Sequence, residues 1–89
     1  MIRTTPTPEQ RAARGTRVKE ILADPAFLDA VRMTEQALFA EWQAAETLGK
    51  REEAHGTSRG LQKLLDTLLW VQYDGQIAEE ATRKAREGQ

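Results

Sequence analysis

The residues whose types come nearest to a chemical site lie together in the stretch AHGTSRGLQKLLDTLLW, from Ala54 to Trp70. It opens with the chain's one histidine, two glycines four apart and two hydroxyls, and it continues into leucines at helical spacing. Three readings compete: a phosphate-holding loop, an acid–base centre on His55, or a notch in a structural helix. A phosphate cradle needs a glycine-rich turn that follows a strand and presents backbone N–H groups, with a Lys-Ser/Thr pair closing the loop. HGTSRG has neither the spacing nor the strand. His55 lies beside Glu52 and Glu53, but no Ser or Cys nucleophile stands with it in a motif that would use a base. A metal centre needs several convergent ligands, and no His/Asp/Glu spacing supplies them. The chemistry-bearing residues therefore predict no catalytic residue, no metal, no cofactor and no small-molecule substrate. The favoured reading is a packing notch: Gly56 opposite Trp42, and Gly60 opposite Leu38 with Phe39, with large side chains facing small ones so that two helices approach closely.

That reading depends on where the chain turns. Propensity favours a turn near Gly56, because an earlier one leaves Gly56 and Gly60 inside a helix at about 1 kcal/mol each. Length favours a turn near Gly49, which makes two helices of about 23 residues, each about 35 Å long, that match end to end. The early turn is preferred, and it sets Trp42 against Gly56.

The other elements have clear punctuation. TPEQ starts the first helix, with Thr7 as cap, Pro8 at the first helical position and Gln10 completing a capping box. That helix runs to about Ala23, with Gly15 as a weak point and Val18, Ile21 and Leu22 as its apolar end. Asp24-Pro25 is a cap and first residue for a second helix. Phe27, Val31, Leu38, Trp42 and Ala45 form a narrow apolar seam along it. The third helix carries Leu61, Leu64, Leu65, Leu68, Leu69 and Val71, an arc too wide for one neighbour to bury, with Trp70 nearly opposite. Gly75 is placed for a left-handed C-terminal cap. The expected organisation is an extended leader over 1–7, one helical domain over 8–77 and a charged tail over 78–89, frayed or disordered. The fold class is all-α: an antiparallel helical hairpin with an additional shorter N-terminal helix, oligomeric because the core is incomplete.

Composition agrees with a thin core. The chain has 89 residues, 30 % charged and 6 % aromatic, with no cysteine, so disulfides and thiolate metal sites are excluded. No apolar run reads as a signal peptide or a bilayer span. Net charge is −1 but uneven. Residues 1–22 carry five basic and two acidic groups, whereas residues 24–48 carry one basic and five acidic groups. Arg3, Arg11, Arg14, Arg17 and Lys19 are the candidate nucleic-acid contacts, although five charges without interleaved aromatics fit a solvated surface better. Leu64, Leu69, Trp70, Val71 and Tyr73 are the candidate interface for a partner or a second copy, since aromatics outside the main apolar arc are common anchors.

The order ILADPAF, ALFAEWQA, KREE, a leucine-rich helix and YDGQIAEE resembles small helical proteins encoded by tailed bacteriophages and prophages near head and DNA-packaging genes. The resemblance covers Ile21 to Glu80. Gly56 and Gly60 depart from the more strongly helical pattern of that group. It implies a turn just before REE and a non-enzymatic role in virion assembly or DNA packaging, in the bacterial host cytoplasm or in the virion. Partners are then the chain itself, a larger phage protein or a host protein, with no membrane. Two alternatives are a DNA-recognition subunit resembling a small terminase, using the basic arm, and an inhibitor of a host defence or transcription protein. The inhibitor would present Asp29, Glu35, Glu41 and Glu46 as its acidic face.

Overall fold

The computed structural model describes residues 5–88. It is all-helical, with three helices and no strand among the described residues: α1 Pro8–Ala23, α2 Pro25–Ala44 and α3 Leu48–Glu87. The N-termini of α1 and α2 are capped by the residues the punctuation names. Gln10 Oε1 accepts from the Thr7 N–H at 2.9 Å, and Thr7 Oγ1 accepts from the Gln10 N–H at 3.1 Å, a reciprocal capping box. Asp24 is extended (φ −74°, ψ 121°), and its carboxylate accepts from the Ala26 and Phe27 N–H groups at 2.8 and 3.1 Å. Pro25 needs no such partner, so it fits the first helical position.

The connection between α2 and α3 is short and falls before Gly49, at Ala45–Thr47. Ala45 leaves helical geometry (φ −65°, ψ 123°), and Thr47 Oγ1 accepts from the Lys50 N–H at 3.2 Å to start α3. HGTSRG is therefore helix throughout. No residue among those described has positive φ, so Gly75 is not the expected left-handed cap. It lies inside a 40-residue α3, which continues through much of the expected charged tail to Glu87. Ala78 is buried and Thr82 half-buried, which gives that segment tertiary support. Glu80 pairs with Arg83 and Lys84 at 3.7 Å, and Lys84 and Arg86 in the last turn complement the helix dipole.

Two compact units divide the chain, one comprising the residues to Ile21 with those from Leu68 onward, the other Leu22–Thr67. In the first, α1 meets the C-terminal half of α3 backbone to backbone at two buried glycines, Gly15 and Gly75. A Cβ built on either would lie 2.7 Å from the Cα of the other. Val18 and Ala78 are buried in this unit. Beside the crossing, Arg11 grips Asp74 through two parallel hydrogen bonds, the Nε one at 3.0 Å, and the Asp74 side chain is only 13 % exposed. Gly15 is thus a contact point rather than a weak point. The helix cost of two glycines is offset by the close packing that only they permit.

In the second unit α2 faces the first half of α3. Leu38 and Ala54 are buried, and Phe27, Val31, Ala45, Leu61 and Leu65 are half-buried. Phe39 and Trp42 stack along α2 with ring centroids 6.2 Å apart and planes 15° from parallel. The Arg51 guanidinium sits 5.6 Å from the Trp42 ring centroid. The expected notch is absent: a Cβ on Gly56 or Gly60 would meet nothing within 4 Å. The small residue buried in this unit is Ala54. The helical repeat explains the miss, because Gly56 lies about 160° around α3 from Ala54 and points outward.

Candidate protein-interaction surface

Along the C-terminal half of α3, Trp70, Tyr73 and Ile77 follow one another at spacings of three and four, so they share one face. Leu69 lies at its edge. Their exposures are 60 % for Trp70, 61 % for Tyr73, 47 % for Ile77 and 55 % for Leu69. Gly75, which packs on α1, lies about 160° around the helix from Ile77. One side of this segment is occupied by α1, and the opposite side carries a row of large apolar groups in water. Glu80 and Lys84 continue the row at the same spacing, so it changes from apolar to charged as it approaches the helix end. The α1 contact consumes the small residues of α3 and leaves the large ones outside.

The five residues expected as an interface therefore divide. Leu69, Trp70 and Tyr73 lie together on this face. Val71 is half-buried and turns toward the α1 side, and Leu64 is exposed within the other unit. Ile77 belongs to the face and was legible as the next member of the Trp70–Tyr73 spacing. Treating Gly75 as a helix end concealed it.

Of the basic arm, Arg11, Arg14 and Arg17 follow one another at spacings of three along α1, and Lys19 lies on another side. Arg3 lies outside the described residues. Arg11 is committed to Asp74, and Arg14 approaches the same carboxylate at 3.9 Å. The hydrogen bond from Arg11 holds the Asp74 carboxyl below the usual carboxylate range against the opposing effect of burial, and the same bond holds the Arg11 guanidinium more firmly protonated. Arg17 and Lys19 are exposed but lie about 160° apart around α1. The acidic residues of α2 are dispersed. Asp29, Glu35 and Glu41 fall about 120° from one another around the helix, and Glu46 is in the α2–α3 connection. Asp29 is paired with Arg32 at 3.3 Å.

His55, Ser58 and Glu35 line an open cleft beside Leu38 and Trp42 in the second unit, and all three are exposed. No group of three or more His, Asp or Glu side chains converges on a metal-sized space among the described residues. No helix among the described residues is long and apolar enough to cross a membrane. Comparison with protein-family models, with curated proteins and with solved structures finds no match to this chain.

Proposed function

We propose that this chain is a non-enzymatic helical protein that acts by protein–protein interaction, using the Leu69–Trp70–Tyr73–Ile77 face of α3. The observation that carries the reading is the exposure of those four side chains on one side of a helix whose other side is already packed. Four adjacent large apolar groups approach the size of the patches that mark binding surfaces on soluble proteins, whereas single exposed leucines need no explanation. Two aromatics among them are the residue types that anchor interfaces.

The finer architecture belongs to the same reading. An antiparallel hairpin of α2 with the first half of α3 is supported by the short Ala45–Thr47 connection and by the Arg51–Trp42 contact just beyond it. Oligomerisation is supported by the thin core, whose buried apolar residues are Val18, Leu38, Ala54 and Ala78. The setting, virion assembly or DNA packaging in a tailed phage or prophage, follows from the sequence resemblance. The DNA-recognition alternative is weakened by the commitment of Arg11 to Asp74, which Arg14 also approaches, and by the separation of Lys19 from the Arg11–Arg14–Arg17 row. The inhibitor alternative is weakened by the dispersal of the acidic groups.

The test is affinity capture from cells carrying the phage or prophage, comparing the natural chain with a Trp70→Lys/Tyr73→Lys variant of unchanged helicity. Head or packaging proteins held by the natural chain and lost by the variant are the expected result. Identical captures would remove this face from the function. An enzyme substrate turned over by the chain would overturn the reading altogether.

A further inference from the structure

We infer that the occupant of the Leu69–Trp70–Tyr73–Ile77 face is a second copy of this chain, docked antiparallel about a two-fold axis midway between Tyr73 and Ile77. The inference rests on the proposed role of that face and specifies its partner. Three observations lead to it.

First, Trp70, Tyr73, Ile77, Glu80 and Lys84 recur at alternating spacings of three and four, the pattern of a coiled-coil seam, whose complement is another helix lying nearly parallel or antiparallel. Second, the area fits. From their exposures the four apolar side chains offer about 500 Å² to a partner, with the two aromatics supplying most of it. Two such faces pressed together bury about 1,000 Å², the lower bound for a specific interface. A copy of the chain always brings that matching area, whereas an unrelated polar surface would leave the aromatics half covered. Third, charge sets the direction. A parallel pair in register would place Glu80 beside Glu80 and Lys84 beside Lys84, juxtaposing like charges at two successive layers. An antiparallel pair centred midway between Tyr73 and Ile77 stacks the apolar halves. Tyr73 faces Ile77 of the second copy, and the Trp70 indole N–H is opposite its Glu80 carboxylate. Lys84 then lies beyond the apolar overlap, opposite Asp66 of the second copy's α3. In the single chain Glu80 holds only exposed intrahelical pairs, which are weak and easily exchanged.

The face lies on the side of α3 away from Gly75, so docking leaves the α1 contact intact. An interface at the lower size bound belongs to the weak, transient class, so the oligomer dissociates on dilution.

The test uses the full chain and has two parts. Light scattering across about 1–500 µM should show the mass rising from one chain to two. Ile77→Lys should weaken the dimer at least about tenfold while circular dichroism keeps its helical signal. Because the natural sequence has no cysteine, single introduced thiols report geometry without interference. Gln76 flanks the seam near the proposed axis, so Gln76→Cys should cross-link rapidly between copies under air oxidation. Lys84→Cys should remain reduced. Preferential Lys84→Cys cross-linking would overturn the antiparallel arrangement, and a dimer indifferent to Ile77→Lys would move the interface elsewhere. A single-chain mass at every concentration would refute the second copy as occupant. If Trp70 and Tyr73 were still needed to capture another protein, only this inference would fall. If they were not, the functional reading would fall with it.

Discussion

Adding one methyl group to each of four glycines separates the packing account from simple helix propensity. In a helix interior Gly→Ala gains about 1 kcal/mol from reduced backbone freedom. At Gly56 and Gly60 nothing lies within 4 Å of the new Cβ, so each substitution should realise most of that gain. At Gly15 the new Cβ would sit 2.7 Å from Gly75 Cα and 3.3 Å from both Gly75 N and Gln72 O. At Gly75 it would meet Gly15 Cα at 2.7 Å and Arg11 O at 3.0 Å. Non-bonded carbons are comfortable at about 3.5–4.0 Å, so the helices must separate by close to 1 Å. Every obstructing atom is backbone, so no side-chain rotation can make room. Separation also loosens the packing around Val18 and Ala78 and stretches the Arg11–Asp74 grip. Overpacking of this kind costs about 1–3 kcal/mol, which cancels or exceeds the propensity gain. Gly15→Ala and Gly75→Ala should therefore be destabilising by up to about 2 kcal/mol, leaving a gap of roughly 1–3 kcal/mol from Gly56→Ala. The double variant Gly15→Ala/Gly75→Ala should cost less than the two singles added, because the first methyl already parts the helices. Urea titration at fixed protein concentration, read by helical circular dichroism with amide exchange on α1, measures these differences. Gly15→Ala as stabilising as Gly56→Ala, with unchanged α1 protection, would refute the close crossing.

Other expected outcomes follow from the caps, the ion pair and the small core. Asp24→Ala should lower stability by about 1 kcal/mol in the same titration, because two N–H groups of the first α2 turn lose their acceptor. Leu38→Ala should cost about 2–3 kcal/mol and raise exchange in α2, since Leu38 is the one large buried side chain of the second unit. Asp74 has a carboxyl pKa held below its unfolded value of about 3.9, so its contribution is complete above that pH and is lost as pH falls through the lower folded value. The stability difference between the natural chain and Asp74→Asn should accordingly be present at pH 6 and vanish in strong acid. A constant difference across that range would refute the ionic character of the grip. If surface charge on the N-terminal helix served DNA, Arg17→Ala would weaken DNA binding and flatten its salt dependence; binding independent of Arg17 and Lys19 is expected.

Local chemistry made parts of this fold readable. Thr7-Pro8 and Asp24-Pro25 each combine a side-chain acceptor with a residue that needs no partner of its own, and both helix starts fall there. The length argument for an early turn also outweighed the glycines of HGTSRG, though the break came at Ala45–Thr47 rather than Gly49. What escaped was long-range. Gly75 follows an aspartate at the end of an apolar run, as a cap would, and its role depends on Gly15 sixty residues earlier. No local pattern pairs those two positions. The notch failed for the related reason that a displacement of two residues in a helix turns a side chain to nearly the opposite face. The interaction face was half legible: Trp70 and Tyr73 stood out as aromatics, while Ile77 was hidden beyond the supposed helix end.

The central claim is that the Trp70 face is covered when the chain assembles. In a Trp42→Phe chain Trp70 is the sole tryptophan, so acrylamide quenching of its emission reads its accessibility directly. Quenching that falls as protein concentration rises, and that Ile77→Lys restores, is the predicted result. Trp70 equally accessible at every concentration, in a chain that remains helical and associates, would contradict the account.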